Sequence, residues 1–153
     1  MKTKTIVTAI LALCVILTLA SCSLMQDKGT YEMGKDSITS IKGVIGEMGA
    51  RKVTGVSTAT NNGVQTKEYT YTTDPADETQ AANDIAAYWN YIHANDGFLS
   101  LVDFDSLPYA GGVELRFAKN SVDEGKIIIM DIEYNTKGYT ITLTKGEGTL
   151  TDK

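Results

Sequence analysis

The stretch KIIIMDIEYNTKGYTITLTK, residues 126–145, constrains the fold more than any other part of the chain. On either side of Asn135-Thr136-Lys137-Gly138, apolar residues recur at every second position, the period of a strand with one buried face. A four-residue turn at 135–138 sets Tyr134 opposite Tyr139, Ile132 opposite Ile141 and Met130 opposite Leu143. All six then share one face, and a slip of one residue would turn one strand's whole set away from the core.

The same reading extends over the second half of the chain. Turns divide it into strands at 98–105, 112–119, 126–134 and 139–145, an antiparallel meander. Carried back through the 120–125 loop, the register places Ile128 by Phe117, Met130 by Leu115 and Ile132 by Val113, with Val102 by Leu115 beyond. Upstream, 52–73 is rich in threonine, valine and tyrosine around Asn61-Asn62-Gly63, the pattern of a β-hairpin. Asp74 as N-cap and Pro75 at the first helical position predict a helix with a buried stripe of Ala81, Ala82, Ile85, Ala86, Trp89 and Ile92. Asn95-Asp96-Gly97 ends it, the glycine suiting a left-handed C′ position. Ile38, Ile41, Ile45 and Met48 recur at helical spacing, so 36–48 is read as a short helix although Gly43 and Gly46 weaken it. The expected fold class is α+β: an antiparallel sheet of about five to six strands, hairpin plus four-strand meander, packed on one main helix.

The first residues carry a different message. Lys2 and Lys4 precede an uncharged, largely apolar run over 5–20 that ends in small residues before a cysteine, the layout of a secretory signal. Leu19-Ala20-Ser21-Cys22 resembles the lipobox of bacterial lipoproteins. The resemblance implies a diacylglycerol thioether on Cys22 with cleavage before it, and a membrane partner reached through that lipid. It places the protein in the bacterial cell envelope, outside the cytoplasmic membrane or in the outer membrane. The chain then divides into a signal at 1–21, a tether at 22–36 and one domain at 37–153. Two alternatives remain: an uncleaved membrane anchor, since 5–26 approaches the roughly 20 residues that span a bilayer, and an ordinary secretory signal with a free cysteine. The general plan also resembles that of small lipoproteins of bacterial surfaces.

Charge and cysteine usage narrow the functional classes. The whole chain has a formal charge of −5, and losing Lys2 and Lys4 makes the remainder more acidic still. That argues against a nucleic-acid binder, which lives on phosphate attraction. Cys14 would leave with the signal, so no intramolecular disulfide is expected and the core must hold the fold by packing. A domain of about 130 residues buries enough surface to do so.

Few constellations carry chemistry. GVIGEMG lacks the Gly-Lys-Ser/Thr end of a phosphate loop, no Gly-x-Ser-x-Gly occurs, and no cofactor is expected. His93, the lone histidine, falls late in the predicted helix, where capping or packing suits it better than general-base work. Tyr88, Trp89 and Tyr91 could make a sugar-stacking platform, but Trp89 falls on the buried stripe. Tyr69 and Tyr71 are the better candidates for exposed, ligand-binding aromatics. On the outer face of the meander the register gathers Asp103, Glu114, Asp131 and Glu133 around Arg116, with Glu114 opposite Asp131. This is read as a solvated face, the sharper alternative being a divalent-cation or basic-partner site of hard oxygen ligands. The apolar end of that face, with Leu99, Leu101, Ala118, Ile127 and Ile129, is expected to lie under the 38–48 segment. The leading function is a non-enzymatic binding module that meets a protein, peptide or glycan with this face or an exposed hairpin edge. The alternative is a small hydrolase, metal-dependent or working by acid and base through the acidic cluster.

Overall fold

The structure, a computed structural model, describes residues 27–102 and 106–151. Its elements are β1 (Thr30–Met33), β2 (Asp36–Thr39), α1 (Ile41–Ile45), β3 (Lys52–Asn61), β4 (Val64–Thr72), α2 (Gln80–Tyr91) with a π-helical turn (Ile92–Asp96), β5 (Leu99–Ser100), β6 (Leu115–Asn120), β7 (Lys126–Asn135) and β8 (Gly138–Glu147). β1 and β2 make a two-stranded sheet, and the other six strands make one antiparallel sheet in the order β3-β4-β8-β7-β6-β5. The class is α+β, and the six-stranded sheet is the hairpin joined to the meander through β4 and β8.

β7 and β8 pair in the expected register, Tyr134 on Tyr139, Ile132 on Ile141 and Met130 on Leu143. Gly138 begins β8 where a Cβ would lie 2.0 Å from the Tyr71 carbonyl oxygen, so only glycine lets β4 approach. Between β6 and β7 the expected register is wrong by two residues: Leu115 faces Ile132, Phe117 faces Met130 and Lys119 faces Ile128. The cause is a tighter loop. Asp36 accepts hydrogen bonds from Ser121 Oγ at 2.6 Å and Val122 N at 2.8 Å, and Ser121 N reaches Lys126 O at 2.9 Å, so β6 runs on to Asn120. A shift of two preserves the faces, so the apolar set stays inside. β5 lies on the expected diagonal against β6 and ends at Ser100, before 101–102; the expected strand's last residues, 103–105, lie outside the described residues.

Three local expectations are corrected. The 22–36 stretch is not all tether: Tyr31 and Met33 of β1 are sealed in the core, paired with Ile38 and Asp36 of β2 across a Gly34-Lys35 turn. The 36–48 helix shrinks to α1, because Asp36 to Thr39 is taken up by that pairing and Ser40 caps the helix instead, its Oγ accepting from Gly43 N at 3.2 Å. α2 begins at Gln80 and not at Pro75, because Asp74 Oδ1 takes Ala76 N at 2.9 Å and Asp77 Oδ1 takes Thr79 N at 3.0 Å, closing two turns before the helix. Gly97 does end the helical segment in the left-handed conformation, at φ 75°.

A single core joins the inward residues of the sheet, among them Phe117, Ile128, Met130, Ile141 and Leu143, to Tyr31, Met33, Ile38, Ile41, Ile85, Tyr88 and Ile92 of the covering layer. Tyr88 takes the buried place expected for Trp89, which is half-buried with its ring stacked on Phe117 at 4.4 Å. The 38–48 segment belongs to this inner layer, not to the outer face. At the apolar end of the outer face the chain after β8 lies alongside instead: Gly148 N donates to Gly125 O at 2.9 Å, and Leu150 N donates to Asn120 Oδ1 at 2.7 Å. Among the described residues no helix is long and apolar enough to cross a membrane.

Candidate functional site

The outer face is set by alternation along four strands. Thr140, Thr142 and Thr144 of β8 point away from the core, beside Thr70, Glu68 and Thr66 of β4 on one side and Glu133, Asp131 and Ile129 of β7 on the other. Arg116 of β6 stands opposite Asp131. This corrects the expected opposition of two carboxylates: the two-residue shift puts a cation where Glu114 was expected. Arg116 Nε donates to Asp131 Oδ1 at 2.6 Å, and Nη1 lies 3.7 Å from Glu114 Oε1. The hydrogen bond to Asp131 raises the Arg116 guanidinium above its ordinary value.

Glu114, Asp131 and Glu133 do share one open depression of about 530 Å³, with Val113, Arg116 and Thr142 in its wall. Asp103 and Cys22 lie outside the described residues. Among the described residues no three His, Cys, Asp or Glu side chains are grouped so as to hold a metal ion. A carboxyl group serving as general acid needs burial or an unneutralised like charge beside it. Glu114 is 68% exposed, and the guanidinium sits between it and Asp131. The depression offers mixed charge and threonine hydroxyls to a partner, not an acid–base pair.

Tyr69 and Tyr71 are not surface aromatics. β4 pairs with β8 so that Tyr71 meets Tyr139 and Tyr69 meets Ile141 on the inward face, and Tyr71 is buried. Its hydroxyl donates to Asp27 Oδ2 at 2.8 Å and lies 2.6 Å from the Tyr31 hydroxyl, which accepts from Ile41 N at 3.3 Å. Asp27 also accepts from Ser40 Oγ, from Gly29 N at 2.9 Å and from Lys42 N at 3.1 Å. Burial, then the neighbouring Asp27 charge, pushes the Tyr71 hydroxyl far up, and burial does the same to Tyr31 and Tyr88. Asp27 was hidden in the presumed tether; the alternation of Tyr31, Met33, Asp36 and Ile38 about Gly34-Lys35 was the signal that could have found it.

Ion pairs built on the buried carboxylates of Asp84 and Asp36 reach into the interior. Arg51 grips Asp84 of α2 through Nε at 2.6 Å and Nη2 at 2.7 Å, and Tyr139 donates to the same carboxylate at 3.2 Å. Lys145, alone among the inward residues of β8 in being charged, donates to Asp36 at 2.6 Å, Asp123 at 2.7 Å and Met33 O at 3.1 Å. Burial works against ionising Asp36, but hydrogen bonds from Lys145, Ser121 and Val122 outweigh it and hold its carboxyl below the usual range. These groups are saturated by one another and tie layer to layer. His93 Nδ1 lies 2.8 Å from Phe98 O, so that nitrogen carries a proton committed to a carbonyl, in keeping with a capping role.

The other feature is an edge. β3 ends the sheet, and among the described residues its backbone pairs only with β4. No charged residue occurs between Lys52 and Lys67, and no proline does either. Edges are ordinarily protected by lysine, proline or a bulge, and beyond its first residue, Lys52, β3 has only the irregularity between Val53 and Gly55. Residues 57–61 are exposed. Which strand of the 52–73 hairpin lies at the edge depends on the pairing of β4 with β8, which leaves β3 outermost. Comparison with protein-family models, curated proteins and solved structures finds no match to this chain.

Proposed function

We propose that the protein is a non-enzymatic interaction module of the bacterial cell envelope, held to the membrane by lipid on Cys22, that receives an extended segment of a protein or peptide partner at β3 and along the adjoining outer face. The observation that carries this reading is the one-sided cover of the sheet. Among the described residues, α1, α2 and the β1–β2 hairpin all contribute to the inner core, while no element covers the hydroxyl-rich part of the outer face or pairs with the free edge of β3. An added strand gains main-chain hydrogen bonds at β3, and side-chain contacts with the outer face select it. The hydrolase alternative draws on the 530 Å³ depression, but there Glu114 and Asp131 share one guanidinium.

Photoreactive residues placed at Ser57 on the edge, Thr142 on the outer face and Asn83 on the exposed side of α2 test this in the native envelope. Adducts from Ser57 and from Thr142, absent from Asn83, are expected. Adducts from Asn83 alone would contradict the assignment. Metabolic labelling with a palmitate analogue should mark the wild type and spare Cys22→Ala; an unlabelled wild type would remove the anchor from the account.

A further inference from the structure

The partner of the β3 edge can be made more specific, resting on the reading of that edge as a docking strand. We propose that two copies of this chain join β3 to β3 about a two-fold axis at Thr58, forming one continuous antiparallel sheet across both.

The backbone determines the register. Asn62 and Gly63 have φ of 50° and 80°, the signs of a two-residue type I′ turn closed by Asn61 with Val64. In such a hairpin the closing pair exchanges hydrogen bonds, and alternate residues do so along the strand. Asn61, Ala59 and Ser57 therefore bond to β4, while Thr60, Thr58 and Val56 direct N–H and C=O outward. The turn limits this row at one end and the irregularity between Val53 and Gly55 limits it at the other. Thr58 is its centre. A two-fold there sets Thr58 against Thr58 of the second copy and Val56 against its Thr60, so each outward residue gives and takes one backbone hydrogen bond.

Three properties favour a second copy over an unrelated strand. A two-fold brings like against like, and the uncharged run between Lys52 and Lys67 has no charge to repel. The outer face of β3 carries Gly55, Ser57, Ala59 and Asn61, and residues 57–61 are exposed, so among the described residues no element obstructs the approach of a second sheet. The axis is perpendicular to the sheet, so inner faces stay on the same side. Both copies of Asp27, which belongs to the inner layer through Tyr71 and Ser40, then lie on one side of the joined sheet, as two chains anchored in one bilayer require.

Cysteine cross-linking of the full chain in detergent tests the register. A hydrogen-bonded pair has its Cα atoms about 5.5 Å apart, within disulfide range, so Thr58→Cys should form a covalent dimer on mild oxidation. Val56→Cys should not, lying roughly 13 Å from its own mate, but it should cross-link to Thr60→Cys when the two variants are mixed. The wild type, carrying Cys14 and Cys22, is the control. Thr58→Lys, exposed and retaining its circular dichroism, should raise the dimer dissociation constant by about tenfold or more in sedimentation. If Thr58→Cys stays monomeric while Ser57 still photocross-links to a different protein, the second copy is wrong and the edge reading survives. If neither cross-link forms, both fall.

Discussion

Replacing Asp27 with alanine tests whether the fold already takes in residue 27, well before the domain boundary expected at 37. The carboxylate is the shared acceptor of four donors: the hydroxyls of Tyr71 and Ser40 and the amides of Gly29 and Lys42. Leaving the two buried hydroxyls without an acceptor costs about 1–3 kcal/mol each. The half-buried amides contribute roughly 0.5–1.5 kcal/mol each. Water entering the vacated space offsets part of this, so the expected loss is about 3–6 kcal/mol, a large share of the roughly 5–15 kcal/mol that holds a domain together. Asp27→Asn, which keeps one acceptor oxygen, should lose less. Urea unfolding followed by Trp89 fluorescence and circular dichroism reads the difference as a lower midpoint at unchanged slope. A loss under about 1 kcal/mol would refute the reasoning and return residues 27–36 to the role of a tether.

Acid should weaken the fold through Asp36 and Asp123, whose carboxyls are held below their ordinary range. Such groups contribute stability above the unfolded value near 3.9 that is lost as pH falls through the folded values; Asp36→Asn should cost about 2–4 kcal/mol at neutral pH, because Lys145 keeps only Asp123 as a counter-ion, and should flatten the acid limb of a stability profile. Alkali should act through Tyr31, Tyr71, Tyr88 and Tyr139, all pushed upward chiefly by burial. Their contribution is complete below about pH 10 and fades as pH climbs, so their phenolate absorbance should appear together with loss of circular dichroism; ionisation with the fold intact would contradict the burial. Calcium should shift the melting temperature no further than sodium at matched ionic strength, since Arg116 stands between Glu114 and Asp131; a calcium-specific shift abolished by Asp131→Asn would overturn this.

What could be read from the sequence followed from how local each determinant is. β7 with β8 was legible to the residue because the turn at 135–138 is short and every inward position is apolar. β6 with β7 was legible only in its faces, since Asp36, some 85 positions away from Ser121, sets the length of that loop. That two-residue error is the reason Glu114, and not Arg116, was expected opposite Asp131. Tyr69 and Tyr71 share a face by spacing, but which face is decided by the pairing of β4 with β8, a long-range choice that no local pattern records. Asp74-Pro75 suits a helix start and a side-chain-closed turn equally, and the competition of Asp77 for Thr79 decided it.

The central claim, that β3 offers an unsatisfied edge, is tested most directly by residue-resolved amide exchange on the dilute, unpartnered chain. The account predicts an alternating record: slow exchange at Ser57 and Ala59, which bond to β4, and fast exchange at Val56, Thr58 and Thr60, which slows when a partner strand is bound. Uniformly slow exchange along β3 in the dilute chain would show the edge already covered from within, and would contradict both the interaction surface and the dimer built on it.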